Sequence, residues 1–176
     1  MLGTVSVVGV IVDALVVIAA LLWAGGLLVL GAIVAPTVFR TGTPNAADLM
    51  QTVFSRFDRV AIAAASVILI AEAASWLTRQ PMARNDRIMR LVLVILLAAC
   101  AGVQAGLLTP NLVRLFGQGA RRGVGELGAR FDRIHRASEW VGKASVFCAL
   151  ALAAFVVRSR GRGADDVDLD DDRTAD

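Results

Sequence analysis

The residue types best suited to chemistry cluster late in the chain, in Phe131-Asp-Arg-Ile-His-Arg-Ala-Ser-Glu139. His135 is the sole histidine. Asp132 precedes it by three residues and Glu139 follows it by four, so on a helix all three share a face, with Ser138 beside them. An imidazole between two carboxylates could relay protons or enter a metal site. The donor set is thin, because zinc and copper sites draw on more His or Cys, and one histidine cannot ligate a haem from both sides. No metal and no cofactor are therefore expected. The plainer reading is a capped helix start at a membrane surface, with charge pairs such as Asp132–Arg136.

Glu72 is a second candidate. It is an acid within an apolar run, and such acids face a bundle interior or water, or snorkel to the interface when close to it. Trp76, one turn later, leaves both readings open. A third constellation is Trp23-Ala-Gly-Gly26 with Ala35-Pro-Thr-Val-Phe-Arg40. Gly25 and Gly26 permit close helix approach as a packing seam, and with Pro36 and Phe39 they could instead shape a cavity or hinge. Cys100 and Cys148 read as packed thiols. No nucleophile motif, phosphate loop, CxxC or HExxH is present, so no catalytic residue is assigned and the protein is not expected to be an enzyme.

The elements that carry these residues follow from hydropathy. Of 176 residues, 57% are apolar and only 19% charged, with a mean hydropathy of +0.68. That excludes a disordered body, and two cysteines exclude a disulfide scaffold. The apolar residues form four blocks, at about 14–34, 60–77, 91–109 and 137–157. Each is roughly 27–32 Å long as a helix, enough to cross a bilayer core, and backbone groups in lipid must pair within the segment. The first block has no basic residue before it, so it reads as a retained span and not a signal peptide. Asp13 is expected at the interface. Pro36, the Thr41–Asn45 stretch, Pro81 and Pro110 read as breaks after the spans. Trp76 and Trp140 fall at span ends, where indoles prefer to lie.

The expected fold is all-α: an integral membrane four-helix bundle, up-down-up-down, over residues 1–157. An amphipathic helix through Leu127, Phe131, Ile134 and Ser138 leads into the fourth span. Residues 158–176 hold four Arg and seven Asp and read as a disordered acidic tail. The net charge of +3 hides this split. The basic surplus of the body sits at span ends, which fits anionic lipid and not nucleic acid. Arg counts on the two sides nearly balance, while the short Arg-rich second connection favours cytoplasmic termini. The expected partners are the lipid bilayer and a second copy or another membrane protein.

Four spans, Trp23-Ala-Gly-Gly26, Ala35-Pro-x-x-Phe39, Pro110 and Phe131-Asp-x-x-His135-x-x-Ser138 together resemble the bacterial four-span membrane proteins of domain-of-unknown-function family 4149, which are similar to the eukaryotic transmembrane-protein-205 group. The resemblance covers roughly residues 10–157. It implies the bundle fold, an inner-membrane location and no agreed activity, and it marks Gly25, Gly26, Pro36, Phe39, His135 and Ser138 as positions of the family pattern. The functions to weigh are an accessory or interaction role, and a small-molecule or ion carrier with a polar site near His135 and Glu72. If the two motif clusters form one site, His135 and Ser138 should meet the end of the first span near Pro36 and Phe39.

Overall fold

The computed structural model describes residues 7–42, 45–77 and 84–171, with side chains to Arg160. Four helices are long and apolar enough to cross a membrane: α1 (Val7–Arg40), α2 (Ala46–Leu77), α3 (Arg84–Gly117) and the membrane part of α4 (Gly125–Arg160). Each contains the apolar block expected of it. They form a ring in which α1 packs on α2 and α4, and α3 packs on α2 and α4, with no close backbone approach across either diagonal. Consecutive helices run antiparallel, which is the up-down-up-down bundle. The two Thr43–Pro44 residues and Pro81, expected as breaks, lie outside the described residues.

The core is built for lipid. Tails are as apolar as leucine, so helices associate through close contact and polar pairs and not through water exclusion. Ala20, Ala24, Ala71, Ala101, Ala149 and Ala153 are accordingly buried between the helices, and Trp23, Ile68, Leu97 and Leu152 fill the larger gaps. Leu22, Ile70 and Phe147 face outward. Trp76 and Trp140 are exposed near span ends, each under a cation: Arg87 lies 5.2 Å from the Trp76 ring centre and Lys143 5.0 Å from that of Trp140. Cys100 and Cys148 form no disulfide.

Two expectations about helix ends need correction. Pro36 and Pro110 do not end their helices. Each follows one widened π-type segment, Leu30–Val34 and Gln104–Leu108, after which the helix continues. In a regular helix the proline ring would clash with the carbonyl four residues back and leave it unpaired. The wider turn moves that carbonyl aside, with Ala35 N–H donating to Leu30 O and Thr109 N–H to Gln104 O. The tail also differs. α4 runs from Gly125 to Asp171, so the stretch expected to be disordered from 158 is helical that far; residues 172–176 lie outside the described residues. A helix nucleated in the membrane extends without a new nucleation cost, which composition alone does not show.

The two π segments are offset by 74 residues, and so is much else. At that offset Pro36 matches Pro110, Arg40 matches Arg114, and Arg56-Phe-Asp-Arg59 matches Arg130-Phe-Asp-Arg133. Asn45 and Gly119, which take positive φ of 59° and 81°, are also a matched pair. The chain is thus a tandem of two helix pairs, α1–α2 and α3–α4. Two spans per unit return the chain to its starting side, so both units run the same way through the membrane.

Candidate functional site

Polar side chains gather at the two ends of the bundle, and the two gatherings differ in kind. At the end holding the start of α1 and the end of α2, one charged residue comes from each helix. Asp13 of α1 accepts from Arg90 Nη1 of α3 at 2.7 Å and from Arg160 Nε of α4 at 2.7 Å. Arg90 Nε also donates to Glu72 of α2. Asp13, Glu72 and Arg90 are all buried, Arg90 at 1% exposure. Two acids and two arginines balance, which is how buried charge survives in an apolar medium. Both acids come from the first helix pair and both arginines from the second. Glu72 is therefore held in a buried ion pair instead of snorkelling, and Asp13 is the centre of the cluster.

At the opposite end the His135 group divides. Asp132 turns to the third connection, where it accepts from Arg122 Nε at 3.1 Å and from the Gly123 N–H at 3.2 Å. His135 is half-buried, stacked on Phe131 with ring centres 5.9 Å apart, and its Nε2 lies 3.2 Å from Glu139. Ser138 accepts from Gln104 Nε2 at 2.8 Å, so it packs against α3. The Ala35–Arg40 segment lies against α2 and makes no close approach to α4. Pro36 and Phe39 thus do not meet His135 and Ser138, and His135 and Glu72 stand at opposite ends of the bundle. Of the two glycines, Gly26 lies so close to the Phe57 ring that a methyl group there would collide with it, whereas Gly25 has open space. Gly26 is a seam.

A second polar chain starts from Ser138. Gln104 Nε2 donates to Ser138 and, at 3.3 Å, to Thr109 Oγ1. The Thr109 hydroxyl in turn donates to Asp58 of α2. The chain links three helices across the second π segment and leaves two acceptors over: Asp58 Oδ2 and Gln104 Oε1 are buried and have no partner. Asp58 and Thr109 border a groove of about 440 Å³ between α2 and α3, with Arg59 and Arg114 also on its wall and Ile62 and Val113 as apolar lining. The matched acid of the second helix pair, Asp132, has both oxygens satisfied; Asp58 has not.

Arg90, Arg160, Asp58 and Gln104 were not singled out from sequence, and Asp13 was read only as an interfacial residue and not as part of a site. The repeated Arg-Phe-Asp-Arg was the available signal for Asp58. One charge near the same end of each span was the signal for the cluster.

No curated protein and no solved structure matches the chain. One family model does, over residues 18–121, which is well over half of the chain's length. The matched stretch carries Gly25, Gly26, Pro36, Phe39, Asp58, Glu72, both π segments and Gln104, and it stops before His135 and Ser138. A four-span membrane bundle with those features in its first three helices is a member of the family described as a domain of unknown function, DUF4149.

Proposed function

We propose that this protein is a non-enzymatic binding component of the bacterial inner membrane, with both termini in the cytoplasm, that holds a small amphiphilic molecule in the groove beside Asp58. The observation that carries this reading is the buried, unpartnered oxygen of Asp58 on the wall of that groove, backed by a second one on Gln104 in the polar chain behind it. A buried polar group without a partner costs about 1–3 kcal/mol. A neutral partner chain of Gln104, Thr109 and Ser138 supports them without satisfying them, which fits a site completed by a ligand. The groove lies between α2 and α3, with apolar Ile62 and Val113 on its wall, which suits a molecule drawn from the bilayer. His135 and Glu139 have no part in it. The role we assign is to hold or hand on a molecule, accessory to other membrane proteins or to a second copy of the chain.

Native mass spectrometry of protein released gently from membranes tests this. The wild type should retain an adduct of lipid-like mass, and Thr109→Val, which breaks the polar chain, should lose it. A wild type that is as bare as the variant overturns the reading and leaves an accessory role without a bound molecule.

A further inference from the structure

We infer that the groove takes the head of an ethanolamine phospholipid, with its ammonium at Asp58 and its phosphate between Arg59 and Arg114. The inference rests on the binding role above and adds the chemical class.

The wall of the groove carries both signs of charge. Asp58 on the wall is an anion that presents acceptors only, and one of its oxygens lacks a donor; Gln104, on the polar chain behind the wall, has its amide nitrogen engaged and its oxygen without a donor. A primary ammonium supplies three donors on a compact group, enough to serve the open Asp58 oxygen with donors to spare. Arg59 and Arg114 line the same groove. Guanidinium groups bind phosphate oxygens through paired N–H donors. Arg114 Nη2 also donates to Asn111 Oδ1 at 3.0 Å, which fixes the fork. Below the charges, Ile62, Ala105 and Val113 continue the groove as an apolar surface, suited to the first part of an acyl chain. A simple anion would leave the Asp58 oxygen unserved and set a like charge beside it. A simple cation would face two arginines. A zwitterion with a short linker answers both.

The depth agrees. Trp76 and Arg87 stack at the far end of α2. Arg59 lies 17 residues before Trp76, or about 26 Å along the helix, close to the thickness of a bilayer's hydrocarbon core. Arg59 and its neighbours therefore lie at headgroup level on the opposite face. The matched position in the second helix pair shows the contrast: Asp132 is closed by Arg122 and Gly123, so the tandem holds one open site and one closed one.

The test uses the full chain, stripped of lipid in detergent and then offered phosphatidylethanolamine, its trimethylated analogue phosphatidylcholine, or phosphatidylglycerol, with bound lipid counted by native mass spectrometry. The expected result is retention of phosphatidylethanolamine at least tenfold above the other two, lost in Asp58→Asn and in Arg59→Gln/Arg114→Gln. The arginine variant alters exposed side chains, so it keeps the test valid if Asp58→Asn fails to fold. Equal retention of phosphatidylethanolamine and phosphatidylglycerol, or retention unchanged by Asp58→Asn in folded protein, overturns the ammonium assignment and leaves the amphiphile-binding role standing. No retention of any of the three overturns both.

Discussion

Arg90 is the residue on which the two buried acids Asp13 and Glu72 depend. It reaches both Asp13 and Glu72, and its removal would strand two acids in an apolar setting. Breaking a buried ion pair from one side costs about 3–5 kcal/mol. Arg90→Leu should therefore lower unfolding stability in detergent by about that amount, read by chemical or thermal denaturation. Replacing Asp13, Glu72 and Arg90 together with apolar residues should restore much of the loss, since no buried charge then lacks its partner. His135→Ala should cost under about 1 kcal/mol in the same assay, because a half-exposed His–Glu pair on one helix face contributes little. The contrast also shows what single residues disclosed in the sequence. The lone histidine drew attention by rarity, yet rarity says nothing about burial. Asp13 and Arg90 sit at the edges of apolar blocks, where charges are ordinary, and only the pairing of four helices reveals that they meet.

Among the elements, the four spans were legible because each is a long uncharged block and lipid allows few alternatives. Their ends were not. Pro36 and Pro110 carry the usual mark of a helix stop, and the widened turn ahead of each lets the helix pass. The seam between α1 and α2 was half legible: two adjacent glycines were visible, but not which one faces a neighbour. Gly26→Ala should destabilise the protein by about 1–3 kcal/mol through its clash with Phe57, while Gly25→Ala should be neutral or slightly stabilising. Phe57→Leu combined with Gly26→Ala should recover part of the loss, and a thermal melt of the three variants checks this. If Gly25→Ala proves the more harmful, the α1–α2 contact lies on another face.

For the molecule as a whole, an even number of spans puts both termini on one side. Reporter fusions at residue 1 and after residue 176 should give the same compartment signal, and a fusion in the third connection, near Gly119, the opposite one. The architecture was readable to this extent from hydropathy. The tandem relation between the helix pairs was not, because the matching residues are scattered over a 74-residue offset and become compelling only when the two π segments fall on the same register. The candidate site escaped for a similar reason: it is assembled from one residue of α2, two of α3 and one of α4, none of which forms a motif alone.

The separation of charge between the helix pairs bears on how the protein is made. Asp13 and Glu72 leave the ribosome with the first pair, and their arginine partners arrive only with α3 and the end of α4. Until then the nascent membrane segment is an acidic hairpin that cannot be neutralised by another copy of itself, since two such hairpins repel. Only the other half of the same chain, or of a sister chain, releases it. Synthesis that halts after the first pair thus leaves both acids without the arginines that neutralise them in the finished bundle.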